Sequence, residues 1–258
     1  MLMVIDVGNT NSKFALFKGD ELVGEWRLQT QHNRTADEYA VSLTQLMKLR
    51  GIEPSDVRGA IIATVVPQAL FNLRLLCQTY FSVEPLVVGE SNVDLGIKVL
   101  IDRPQEAGAD RLVAAVGGHK MFGGPLISID FGSATTFDVV DQDGNFVGGV
   151  LSPGIQLSIE AFYLMTARLP RIKVEKTEKV IGKGTVSAMQ SGIFWGYVGL
   201  IEKLVTMIKA EYGRPMKVIA TGGLAPLFLE ATDCIDETVP DLILRGLLEI
   251  WRRNRSEA

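Results

Sequence analysis

The 258-residue chain is poor in the residues that build metal centres and disulfide scaffolds. It has two cysteines, Cys77 and Cys234, far apart and in no CxxC spacing, and two isolated histidines, His32 and His119. That scarcity makes a zinc site from these four residues improbable. It points to two buried or half-buried thiols in a reducing compartment. Charge of one sign is also lacking. The chain carries 26 basic and 30 acidic residues, a formal net charge of −4, and no basic stripe suited to nucleic acid. No apolar run approaches membrane length, and the N-terminal run is broken at Asp6. This argues against a membrane span or a signal peptide and for a cytoplasmic protein. No low-complexity linker divides the chain, and no GxxxxGK(S/T) phosphate loop occurs.

What the chain does have is an internal repeat. Residues 4–24, VIDVGNTNSKFALFKGDELVG, align without a gap over residues 128–148, SIDFGSATTFDVVDQDGNFVG, 124 positions later. Asp6 lies over Asp130, Gly8 over Gly132 and Gly24 over Gly148. Each copy reads as three strands joined by tight turns, the first strand ending in Asp-x-Gly. An ancestral duplication follows, with one lobe over residues 1–124 and another over 125–258.

The remaining pattern alternates helices and strands. Thr35 and Glu38 form a capping-box signature before a helix with Tyr39, Leu43, Leu46 and Met47 on one face. AIIATVV (60–66), ended by Pro67, reads as a buried parallel strand. Further helices are expected at about 68–80, 108–121, 155–167, 185–211 and 241–253, and strands at 84–88 and 216–221. This is an α/β sheet architecture with helical cover, in two lobes with a cleft between them.

Three groups of residues carry chemistry. A carboxylate at the C-terminal end of a central strand faces the crevice where α/β sheets bind ligands. After Asp6, Gly8 allows close backbone approach, Asn9, Thr10, Asn11 and Ser12 offer donors, and Lys13 adds a positive charge. This is a phosphate cradle. In the second copy Phe137 aligns with Lys13, so the first turn is expected to take most of the phosphate charge. Thr221-Gly222-Gly223-Leu224 is a third glycine turn, suited to an adenosine. The second group is Gly108-Ala109-Asp110-Arg111, at a helix start. Beside a phosphate cradle, Asp110 suits a base for an attacking hydroxyl and Arg111 a cation near the transferring oxygens. Pairing of Arg111 with Asp102 or Asp110 is the structural alternative. The third group is GGVLSPG (148–154) and GKGT (182–185), with Thr185 at the start of a long helix, as anion contact or as N-cap.

Taken together, DVGNTN (6–11), GADR (108–111), DFGSATTFD (130–138), GGVLSPG (148–154), ARLP (167–170) and GKGTVSAMQSG (182–192) resemble the type III pantothenate kinases. That family belongs to the superfamily of acetate kinase, the sugar kinases and actin. The resemblance implies a duplicated ribonuclease-H-like, actin-like ATPase fold. It implies ATP-dependent phosphorylation of pantothenate, the first step of coenzyme A synthesis. Asp6, Val7, Gly8, Asn9, Thr10, Asn11, Ser12, Lys13 and Ser133 would bind ATP, with Asp6 near Mg2+. Asp110 would be the general base. Gly108, Ala109, Asp110, Arg111 and Thr185 would line the pantothenate site. Asp130 would help hold a monovalent cation, K+ or NH4+. The family's homodimer would use the long second-half helices, thinned at Gly192, Gly196 and Gly199. The chain departs from the family pattern at Ser133, where threonine is usual, at Gly184, where asparagine is common, and at Ile101, where an aromatic is common. The alternatives are a catalytically silent nucleotide-binding relative and a kinase for another small hydroxylated acid.

Overall fold

The computed structural model describes residues 1–166 and 169–255. Ala167 and Arg168, the first half of ARLP, lie outside the described residues. The chain divides into two compact units: 1–98, 102–120 and 242–258, and 99–101 with 121–241. The final helix belongs to the first unit, not to the second half of the chain.

In the first unit, β1 (Leu2–Val7), β2 (Asn11–Lys18) and β3 (Glu21–Gln29) form an antiparallel meander. β4 (Gly59–Thr64) and β5 (Pro85–Val87) extend the sheet parallel to β1, in the order β3-β2-β1-β4-β5. β1 is central, which explains its near-continuous apolar run. α1 (Ala36–Lys48) starts at the expected capping box: the Glu38 backbone N–H donates to Thr35 Oγ1, and the Thr35 backbone N–H to the Glu38 carboxylate. α2 (Pro67–Phe81) begins with Pro67, whose missing N–H costs nothing at a first helical position. Tyr39, Leu43 and Met47 of α1 and Leu73, Leu76 and Cys77 of α2 share one core with Met3, Ile5, Phe14 and Ile62.

α3 (Ala109–Phe122) and the C-terminal α7 (Leu242–Arg255) complete this unit. They meet backbone to backbone. A Cβ on Gly246 would lie 2.1 Å from the Val113 carbonyl oxygen, and one on Gly117 would lie 2.7 Å from that of Leu242. The two glycines thus let α7 fix the helix that carries Asp110.

The second unit repeats the plan. β6 (Leu126–Phe131), β7 (Ala134–Val140) and β8 (Phe146–Pro153) form the meander. β9 (Lys217–Gly222) and the short β10 (Glu237–Thr238) extend it, in the order β10-β9-β6-β7-β8. Its helices are α4 (Ile155–Met165), α5 (Thr185–Tyr212) and α6 (Ala225–Leu229), the last not anticipated from sequence. α5 is long and apolar enough, by length and composition, to cross a membrane, contrary to the expectation that no run reaches that length. Core helices pass the same test. Ile193, Phe194, Tyr197, Val198, Ile201 and Val205 are buried in the unit's core with Phe131, Phe137 and Phe228.

The pairing registers refine the repeat. In the first hairpin Asp6 pairs with Lys13, and in the second Asp130 pairs with Thr136. The Gly8 N–H reaches the Asn11 carbonyl, whereas the Gly132 N–H reaches that of Ala134, one residue sooner. The second turn is one residue shorter. The counterpart of Lys13 is therefore Thr136 and not Phe137, and Phe137 matches Phe14, both fully buried.

Candidate active site

β1 delivers Asp6 to the C-terminal end of the first sheet. Its carboxyl group is crowded there. Burial pushes its pKa up to about 6; Lys13 pulls it down, and the Asp110 carboxylate pushes it further up. Asp6, Lys13 and Asp110 are thus brought together by β1, β2 and α3 of one unit. No sequence proximity predicts the meeting of Asp6 with Asp110.

Asp110 lies in the first turn of α3. Its Oδ1 accepts the Arg111 backbone N–H at 2.8 Å. Burial raises its pKa, and the Arg111 backbone bond and charge oppose the rise. The carboxylate folds back over Gly108: a Cβ there would come within 2.6 Å of Asp110 Oδ1. Glycine at 108 therefore preserves the space Asp110 occupies.

The Gly8–Ser12 turn carries exposed Asn9, Thr10 and Asn11. Ser12 differs from its neighbours, because it is fully buried. Its hydroxyl lies 2.9 Å from Thr30 Oγ1, and the Thr30 hydroxyl donates to the Gly8 carbonyl at 2.8 Å. The Thr30 backbone N–H donates to the Thr10 carbonyl at 3.0 Å. Thr30 escaped the sequence reading. Its only signal is a hydroxyl placed just after the third strand of the meander.

The other expected site residues lie in the second unit. Asp130 ends β6 half-buried, its carboxylate oxygens 3.7 and 3.8 Å from where a Gly132 Cβ would stand. Ser133 is exposed at the turn. Gly154 packs against that turn so closely that a Cβ would meet the Ser133 carbonyl at 2.1 Å. Gly222 has φ +94°, and a Cβ there would meet the Phe131 carbonyl at 2.7 Å, so the glycine turn after β9 needs glycine twice over. Thr185 is exposed at the first helical position of α5. Gly184, not Thr185, is the N-cap, and Ser187 Oγ exchanges hydrogen bonds with the Gly184 backbone.

Among the described residues no group of three or more His, Cys, Asp or Glu side chains could hold a metal ion alone. Asp6 nonetheless fits a divalent cation of the Mg2+ kind. Such ions are usually held by one or two carboxylates plus substrate phosphates. A half-buried carboxylate next to a second carboxylate is a donor set that a cation relieves.

A family profile described as type III pantothenate kinase matches residues 2–207. A type III pantothenate kinase of Paramagnetospirillum magneticum is 61% identical over 254 residues, 98% of each chain. One of Rhodospirillum rubrum is 58% identical over 257 residues, the full length of both. Among solved structures, a Campylobacter jejuni protein described as a candidate Baf family transcriptional activator aligns with TM-score 0.63 at 18% identity, over 98% of this chain and 99% of that one. A candidate 2-dehydro-3-deoxygalactonokinase of Sinorhizobium meliloti aligns with TM-score 0.61 at 11% identity, over 98% of this chain and 96% of that one. At such identities these structures speak for the fold alone, the two-lobe ribonuclease-H-like fold of actin-like kinases.

Proposed function

The chain belongs to the type III pantothenate kinase family, and from its site we propose that it transfers the γ-phosphoryl group of ATP to the primary hydroxyl of pantothenate, the first step of coenzyme A biosynthesis. The observation that carries the reading is the convergence of Asp6, Lys13 and Asp110 at one end of one sheet.

The hydroxyl oxygen forms a bond to the γ-phosphorus, and the bond from that phosphorus to the bridging oxygen of ADP breaks. Asp110 takes the hydroxyl proton. Its raised pKa, caused first by burial, suits a base better than an ordinary surface aspartate. Gly8, Asn9, Thr10, Asn11 and Lys13, with the Val7 backbone, bind the ATP phosphates. Buried Ser12 contributes by supporting the turn rather than by touching phosphate. Asp6 holds Mg2+, which neutralises phosphate charge when bound. Gly108, Ala109 and Arg111 line the pantothenate site around Asp110, and Thr185 is a further residue assigned to pantothenate binding. Ser133 contacts ATP. Asp130 helps hold a monovalent cation, K+ or NH4+; its carboxylate bent over the Gly132 turn supports that role.

The protein acts as a cytoplasmic homodimer. Two features support a partner surface on the second unit. α4 exposes Leu157, Phe162, Tyr163, Leu164 and Met165, beside an apolar hollow of about 560 Å³. Along α5, a Cβ at Gly192, Gly196 or Gly199 would meet nothing within 4 Å among the described residues, leaving room for close approach.

The test is pantothenate-dependent ADP release by purified protein, in K+ and in Na+, beside a panel of other hydroxylated acids. Release with pantothenate, faster in K+, is expected. Release with another acid and none with pantothenate would reassign the substrate.

A further inference from the structure

The geometry points to Thr30 as the residue that sets the first phosphate turn in its binding conformation. The inference rests on the reading of residues 6–13 as the ATP hairpin. Thr30 ties the turn at three points, through Ser12 Oγ, the Gly8 carbonyl and the Thr10 carbonyl. The direction of the chain of bonds is determined. The Thr30 hydroxyl has one proton and gives it to Gly8, so it must accept from Ser12. Ser12, fully buried, has its proton satisfied in that way.

This arrangement has a consequence for anion binding. In a trans peptide the carbonyl and the following N–H point in opposite directions. Holding the Gly8 and Thr10 carbonyls toward Thr30 turns the N–H groups of Asn9 and Asn11 away from it. The residues concerned are the exposed ones of the turn. Thr30 thus selects the peptide orientation that offers donors, and excludes the flipped one that would offer carbonyls to a phosphate.

The second hairpin works as an internal comparison. Register makes Thr135 the counterpart of Ser12, and both are fully buried. Thr135 Oγ1 has no hydrogen-bond partner among the described residues. The residue 124 positions after Thr30 is Gly154, whose missing Cβ lets backbone approach the turn directly. The hydroxyl brace belongs to the first hairpin, the one that carries Lys13.

The experiment compares Thr30→Val, which keeps the shape and loses the hydroxyl, with Thr30→Ser, which keeps it. Loss of both hydroxyl hydrogen bonds predicts that Thr30→Val raises the KM for Mg-ATP roughly tenfold or more. The pantothenate KM should stay within about twofold, and Thr30→Ser should recover most of the ATP KM. A wild-type ATP KM in Thr30→Val would overturn the inference. So would parallel losses for both substrates with a lowered Tm, which a merely structural role produces. Lys13→Met is the control for the underlying reading. If it raises the ATP KM and Thr30→Val does not, only the assignment of Thr30 fails. If neither does, the hairpin is not the phosphate site.

Discussion

Asp6 carries a stability cost that its proposed role at Mg-ATP would explain. Its pKa in the folded protein is about 6 against an ordinary 3.8, chiefly because of burial. The folded state therefore holds a proton that the unfolded chain has released between those values. Stability falls as pH rises through that window, and the loss is complete above the folded pKa, on the order of 1–3 kcal/mol. Asp6→Asn should raise the Tm of the ligand-free protein at pH 8, leave it unchanged near pH 3.5, and abolish most use of Mg-ATP. Thermal melts at the two pH values check the first part. On the activity side, the proposed roles require Asp6 and Asp110 ionised, so kcat/KM should drop below about pH 6. Gly108→Ala is expected to lower turnover at least tenfold with little change in ATP affinity, because its Cβ competes with Asp110 Oδ1 for space.

Among the elements, the meanders and their carboxylates were legible because strand alternation, Asp-x-Gly turns and capping residues are local signals. The capping box at Thr35 and the parallel strand around Ile61 and Ile62 came out as read. What local pattern did not reveal was spatial. A gapless alignment cannot register a turn shortened by one residue, so it set Phe137 opposite Lys13 where the register sets Thr136. It also gave no reason to look at Thr30, whose partners lie about 20 residues earlier. The pairing of α3 with α7 escaped for the same reason, since Gly117 and Gly246 are distant in the chain. Gly246→Ala should destabilise the protein by about 2 kcal/mol, because backbone must move to admit the methyl group. Asp110 rides on α3, so turnover should fall further than the folded fraction does. Chemical denaturation and kinetics on the same sample separate the two effects.

For the whole molecule, the duplication accounts for two sheets of the same order, while the sites they carry have diverged. The first copy has Lys13, the Thr30 brace and a neighbouring Asp110. The second has Thr136, an unbraced Thr135 and a glycine at the place of Thr30. The apolar face of α4 predicts assembly: Phe162→Glu should shift the protein from dimer to monomer in sedimentation velocity, with the Tm of the isolated subunit little changed. A wild-type chain that sediments as a monomer would remove the dimer from the account.

The most direct test is mass-spectrometric detection of phosphopantothenate after incubating Mg-ATP and pantothenate with wild-type protein and with Asp110→Asn. The account predicts product with the wild type and at least a hundredfold less with the variant, which still binds ATP. No product from the wild type, or equal product from both, would contradict it.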